Sequence, residues 1–310
     1  MRIAVMGTGG MGGFYGGKLA ASGEDVTFVA RGRHLDAIQT NGLKLEGPDG
    51  EFLIHPAKAT DDPATIGAPV DVVLFCVKLY DLEAAAELIR PIVGDATLVV
   101  SLMNGVDGPE RLAAILGKGH VLGGAAYDSA TIRSPGIVEY RTGPNRLVMG
   151  AAGGAVPARL EDFAEAGRRA GFDMVVSDNI ARTLWEKYVL LATNAGLTAL
   201  TRQPVGVVYS DAELRRLARE MMGEVVAVAN AKGIELSDDI IERSFAVLDS
   251  FSPGMYASAY FDLAAGKRME VGSFSGLIAE LGDRLGVPVP HHRTVWCCLK
   301  PYVNGAPAAA

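Results

Sequence analysis

Lys187 stands at the head of fourteen residues, Tyr188 to Thr201, that carry no charge. Desolvating an ammonium is costly, so a lysine beside a long apolar stretch needs a reason. One reason is chemical. An ammonium aimed at a carbonyl oxygen polarises it and can supply the proton as negative charge develops there, the more strongly where the local dielectric is low. The other is structural: the stem covers apolar surface while the head reaches water. The segment "WEKYVLLATNAGLTAL" is compatible with both.

A second constellation lies near the start. "GTGGMG", residues 7–12, follows the apolar run "RIAVM" and opens a helical stretch that ends at Gly23. Gly7, Gly9 and Gly12 spell G-x-G-x-x-G. The first glycine allows a tight turn, the second lets backbone approach a pyrophosphate, and the third lets helix pack closely on strand. Thr8, Gly10 and Met11 fill the positions between. The unpaired N–H groups at the start of the helix favour phosphate. A glycine-rich turn is weak evidence alone, but the strand before it and the helix after it point to a dinucleotide cradle.

"DVTFVA", 25–30, completes a βαβ unit. At this strand end an NAD site usually offers an acid to the ribose 2′-hydroxyl, whereas this chain reads "ARGRH". A guanidinium at Arg31 or Arg33 suits a 2′-phosphate, so NADP(H) is the expected cofactor, with a solvated loop arginine as the alternative. His34 reads as a surface residue.

These residues need elements to position them. "VDVVLFCVK", 70–78, reads as a parallel strand buried on both faces, and "TLVVSLMNG", 97–105, as a further strand ending at Asn104-Gly105. Ligands of such sheets bind beyond the carboxyl ends of the strands, which places Lys78 and Asn104 to meet cofactor or substrate. Each could equally serve a turn. Cys76, inside its strand, reads as core. "GIVEYR" and "RLVMGA", within 136–151, read as a strand pair extending the sheet. From about residue 179 the period turns helical, with Asn179 as N-cap, and a second helix spans 211–234, its Met221 and Met222 in the core. "DDIIERSFAVLDSF" and "SFSGLIAELGDRLGV" continue the pattern. The expected fold class is α/β, with a Rossmann-like domain over 1–178 and a helical domain over 179–310. His291 and His292 read as an exposed pair without chemistry.

The totals set bounds. A chain of 310 residues, 49% hydrophobic and 21% charged, can bury a sizeable core in two domains. A net charge of −7 argues against nucleic acid. Cys76, Cys297 and Cys298 offer no zinc or disulfide spacing, so no metal and a reducing compartment are expected. "MRIAVMG" is too short for a signal segment and no run approaches a membrane span, which predicts a soluble cytoplasmic protein. The tail, Ala306 to Ala310, is expected to fray.

Taken together, "GTGGMG", Arg31, "CVK" at 76–78, "MNG" at 103–105, "WEK" at 185–187 and "ASAYFDLAAGKRMEVG" at 257–272 resemble the ketopantoate reductase (2-dehydropantoate 2-reductase) family along nearly the whole chain. The resemblance implies an all-α C-terminal domain like that of 6-phosphogluconate dehydrogenase and NADPH-dependent reduction of a 2-oxo acid, with a place in pantothenate biosynthesis. It makes Lys187 the catalytic lysine, with Asn104 and Glu270 as active-site partners. Ser258, with Lys187 and Asn104, would bind substrate. Lys78, Asn104, Ala130 and Glu270 would join the glycine loop and Arg31 at the cofactor. A small-molecule partner and an assembly such as a homodimer follow.

One departure from the family pattern bears on substrate. Where the family commonly carries asparagines, this chain has Leu191, Ala195, Val205 and Met255, with Asn194 one residue out of step. A site that loses amide hydrogen bonds should change its preference, here toward a bulkier, more apolar 2-oxo acid. Two other functions fit the same shape: a hydroxy-acid or imine oxidoreductase, and a non-catalytic NADP(H)-binding sensor. Retention of Lys187, Asn104, Ser258 and Glu270 speaks against the sensor, which would need only the N-terminal cradle.

Overall fold

A computed structural model describes residues 1–141, 143–151 and 157–306; the tail from residue 307 on lies outside the described residues. The chain divides into two compact units, Met1–Ala181 and Arg182–Ala310.

In the first unit, β1 (Arg2–Met6) leads through the glycine loop into α1 (Gly10–Ala21) and back to β2 (Asp25–Val29). Next come α2 (Gly32–Asn41), β3 (Leu43–Gly47), β4 (Gly50–Ile54), β5 (Lys58–Thr60), β6 (Val72–Phe75), α3 (Leu82–Ile89), β7 (Leu98–Ser101), α4 (Gly108–Leu116) and β8 (Val121–Ala126). The unit ends with β9 (Ala130–Ser134), β10 (Ile137–Tyr140), β11 (Arg146–Ala151), α5 (Ala158–Arg169) and β12 (Asp173–Val176).

Among the described residues the main sheet has the order β12-β11-β8-β7-β6-β1-β2-β5. From β8 to β5 all pairings are parallel. This stretch has the doubly wound order of dinucleotide-binding folds, and the order reverses between β1 and β6. β6 and β7 are fully buried, which is why they read as unbroken apolar runs. β6 is shorter than the apolar run suggests. After Cys76 N donates to Met6 O (2.8 Å), the chain leaves the ladder, and Cys76, Val77 and Lys78 form the loop beside the glycines.

A second sheet, ordered β4-β3-β10-β9, covers α1. Its Val138 and Leu45 sit where side chains at Gly13 and Gly17 would otherwise project. This corrects the expected strand pair. β10 joins this sheet, parallel to β3, whereas β11 joins the main sheet antiparallel to β8.

The second unit is helical: α6 (Ile180–Thr201), α7 (Val205–Ser210), α8 (Ala212–Ala231), α9 (Ile240–Ser250), α10 (Ser258–Ala264), a 3₁₀ turn at Glu270–Ser273, α11 (Ser275–Leu285) and α12 (Pro290–Leu299). Asp211 caps α8 by accepting from Glu213 N (3.0 Å) and Leu214 N (2.8 Å). Met221 and Met222 are in the core.

The histidine pair is not exposed. His292 is 0% accessible, and His291 is half-buried. The buried Glu224 on α8 accepts from the backbone N–H groups of His291 (2.8 Å) and His292 (2.9 Å), capping α12 from another helix. No helix among the described residues is long and apolar enough to cross a membrane.

Candidate active site

The glycine loop bends as its spacing requires. Gly7 has φ +91°, a conformation that favours glycine, and a Cβ there would lie 2.9 Å from Val77 Cγ1. A Cβ at Gly12 would lie 2.3 Å from Gly7 O, so the third glycine is fixed by the loop's own backbone. Gly9 caps α1 without a side-chain hydrogen bond, and the first turn holds no acid. A Cβ at Gly9 would meet no protein atom within 4 Å. This open side, with the N–H groups and dipole of a helix start, fits a pyrophosphate.

The intervening residues divide the labour. The Thr8 hydroxyl (3.1 Å) and backbone N–H (2.9 Å) both donate to Val29 O, so side chain and backbone together tie the loop to β2. Met11 is partly buried against the core. Gly10 answers to β9: a Cβ there would come within 2.0 Å of Ala130 O. Ala130 is thus laid directly on the first turn of α1. Tyr15, from the same helix, donates to Asp128 Oδ2 at 2.6 Å and anchors the chain just before Ala130. Burial raises the Asp128 carboxyl pKa, despite hydrogen bonds from Tyr15 and from the backbone at Asn145 and Arg146.

At the end of β2, Arg31 is the exposed N-cap residue of α2, Arg33 is exposed, and the first turn holds no acid. That set can receive a phosphate dianion and offers a ribose hydroxyl no carboxylate. His34 is not a surface residue but half-buried. Its Nδ1 accepts from Gly136 N at 3.0 Å, and burial lowers its pKa against an opposing contact with the Thr8 backbone. The ring thereby ties the start of α2 to the β9–β10 turn.

Lys78 and Asn104 both lie beyond carboxyl ends of parallel strands, Lys78 half-buried after β6 and Asn104 exposed after β7. Arg111 on α4, which sequence reasoning missed, joins their loops. It donates to Leu79 O (3.0 Å), one residue past Lys78, and pairs with Asp107 (3.1 Å), three past Asn104. It also pairs with Glu83 at 2.8 Å. The visible signal was the acid–base spacing of Asp107 and Arg111 along a helix start. Cys76 lies one residue past its strand, and burial pushes its thiol up to about 12, far from a nucleophile's range.

In the second unit, Lys187 is half-buried on α6 between Trp185 and Tyr188, both buried. Its neighbour Glu186 accepts from Ser237 N (3.2 Å), Ser237 Oγ (2.7 Å) and Arg182 Nε (3.0 Å). Burial alone would raise the Glu186 pKa, but these bonds and the nearby Arg243 hold it low. Glu270 opens the 3₁₀ turn and is 8% exposed, and Ser258 opens α10 and is exposed. Ala195 and Val205 are buried, and Leu191 and Met255 are half-buried. Val205 N donates to Met255 O at 2.8 Å, so two of the exchanged positions stand side by side.

The ketopantoate reductase PanE/ApbA family pattern matches residues 3–154, and its C-terminal counterpart matches residues 179–303. The chain belongs to the ketopantoate reductase family. It is 31% identical to a 2-dehydropantoate 2-reductase of Mesorhizobium japonicum, covering 94% of each chain. It is 28% identical to the uncharacterized oxidoreductase YkpB of Bacillus subtilis, covering 97% of this chain and 99% of that protein. A PanE/ApbA family ketopantoate reductase from Ralstonia eutropha JMP134 superposes with a TM-score of 0.89 at 33% identity, covering 98% of both chains. The protein is an oxidoreductase of this family, and its α/β first unit and helical second unit are the family's architecture.

Proposed function

We propose that the protein is an NADPH-dependent reductase that converts a 2-oxo acid to the 2-hydroxy acid, with Lys187 as proton donor. The reading is carried by Lys187, a half-buried lysine at the head of the uncharged stretch of α6 in a chain of the ketopantoate reductase family. Residues 1–178 would hold the cofactor and residues 179–310 the catalytic lysine. The backbone from Gly7 to Gly12 would take the pyrophosphate, Arg31 the 2′-phosphate, and Lys78, Asn104, Ala130 and Glu270 the remaining cofactor contacts.

Bound there, a reduced nicotinamide supplies hydride to the carbonyl carbon. The chain's own part is to stabilise and protonate the oxygen. The Lys187 ammonium polarises the carbonyl, meets the developing oxyanion and passes it one proton, ending as the neutral amine. Asn104 and Ser258 offer hydrogen bonds to the substrate, and Glu270, largely withdrawn from water, supports the site. The apolar set Leu191, Ala195, Val205 and Met255 favours a substrate with a larger apolar side chain than ketopantoate. A reduced-cofactor reaction and the free cysteines Cys76, Cys297 and Cys298 favour a reducing, cytoplasmic setting.

The test is loss of NADPH absorbance with a panel of 2-oxo acids of increasing side-chain size. Saturable turnover with at least one member is expected. No turnover with any, despite tight NADPH binding, contradicts the reading and leaves a binding protein.

A further inference from the structure

Tyr188 follows Lys187 directly on α6, but its side chain leaves the helix about 100° around the axis. The ring is 1% exposed, edge-on to Trp185 (centroids 5.7 Å) and stacked on Phe274 (5.9 Å). Its hydroxyl has one hydrogen and faces two carbonyl oxygens, Ser273 at 2.7 Å and Phe274 at 2.9 Å. These carbonyls mark the break between the 3₁₀ turn that begins at Glu270 and α11. At that break Phe274 is neither helical nor extended (φ −110°, ψ −100°). The Phe274 carbonyl also takes the first α11 bond, from Ile278 N at 3.1 Å. A tyrosine hydroxyl is therefore set into the junction three residues from Glu270, while its own backbone is one residue from Lys187.

We propose that Tyr188 is a positioning residue for the reaction. Its hydroxyl fixes the turn bearing Glu270 against the helix bearing Lys187, so the carboxylate and the ammonium keep one spacing. The lever arms are short on both sides. Glu270 is largely out of water, where a small displacement changes its electrostatic effect most. The proposal rests on the reading of Lys187 as proton donor given above.

The test uses the full-length protein with three changes: Tyr188→Phe, Lys187→Ala and the two combined. Phenylalanine keeps the ring packing and removes only the hydroxyl. On the best 2-oxo acid, Tyr188→Phe should lower kcat about 10- to 100-fold, in line with a misplacement of about 1 Å. KM for the acid and NADPH affinity should change far less. In the lysine-free background, removing the hydroxyl should cost no further rate, because it acts through Lys187. NADPH binding by the first unit checks folding independently, and single-turnover rates below the melting range cover a weakened variant.

A Tyr188→Phe rate within about twofold of the parent overturns the proposal. So does an equal loss in both backgrounds, which marks a merely structural hydroxyl. If Lys187→Ala alone keeps normal turnover, the reading of the lysine fails and this inference fails with it. That outcome is visible in the single variant and is distinct from failure of the tyrosine.

Discussion

The Tyr209 hydroxyl donates to the Asn194 carboxamide oxygen at 3.2 Å, and Asn194 is 5% exposed. The amide nearest to the positions where the family commonly carries asparagines is thus held by α7. With Leu191, Ala195, Val205 and Met255 at those positions, ketopantoate should give a lower kcat/KM than a 2-oxo acid with a larger apolar side chain. A substrate panel decides this, and ketopantoate as the best member would contradict it.

Arg31 at the end of β2, with no acid in the turn that follows, sets the cofactor expectation. NADPH should bind at least about tenfold tighter than NADH, a difference of about 1.4 kcal/mol. Arg31→Ala should remove most of it. Fluorescence titration with both cofactors checks this, and equal dissociation constants in the parent protein would overturn it.

The two central glycines of the loop should separate stability from binding. Gly10→Ala drives a Cβ into the Ala130 carbonyl and should cost about 1–3 kcal/mol of stability. Gly9→Ala meets no protein atom and should leave stability within about 0.5 kcal/mol, yet weaken NADPH binding, because the proposed pyrophosphate site takes up that space. Denaturant melts alongside titrations read both. Reversed effects would show that the loop is not a phosphate cradle.

Acid should weaken the helical unit through His292. Its Nε2 lies 3.2 Å from Met221 O, an acceptor only, so the neutral ring carries its proton there and Nδ1 accepts from Ser275 Oγ (3.1 Å). Burial, with a smaller push from His291, lowers its pKa from 6.5 to about 4 against the Met221 bond. The unfolded chain binds the proton first. This contribution is therefore complete above about pH 6.5, falls as pH drops toward 4, and totals about 3 kcal/mol. His292→Asn should flatten that part of the pH–stability curve. An unchanged slope between pH 6.5 and 4 assigns the acid sensitivity elsewhere.

How much could be read in advance follows the range of each determinant. β1 has the bounds expected of "RIAVM", because local apolarity and the glycine after it suffice. β6 does not: Val77 is apolar because it packs over Gly7, not because it is strand. The second sheet was illegible because β3 pairs with β10, with Leu45 opposite Val138 far along the chain. His292 was misread because its burial depends on Glu224 and Met221, on another helix. The loop, Arg31, Lys78 and Lys187 were visible as residue types in sequence. Arg111 and Tyr188, which hold loops and helices by long-range bonds, were not.

The central claim is that Lys187 gives the proton. It is tested most directly by kcat and NADPH affinity of folded Lys187→Ala on the best 2-oxo acid of the panel. The account predicts a fall in kcat of about 10²–10⁴-fold with NADPH binding nearly unchanged, and a smaller loss for Glu270→Gln. Turnover within a few-fold of the parent would contradict it, and would make Lys187 a lysine that covers apolar surface and reaches for water.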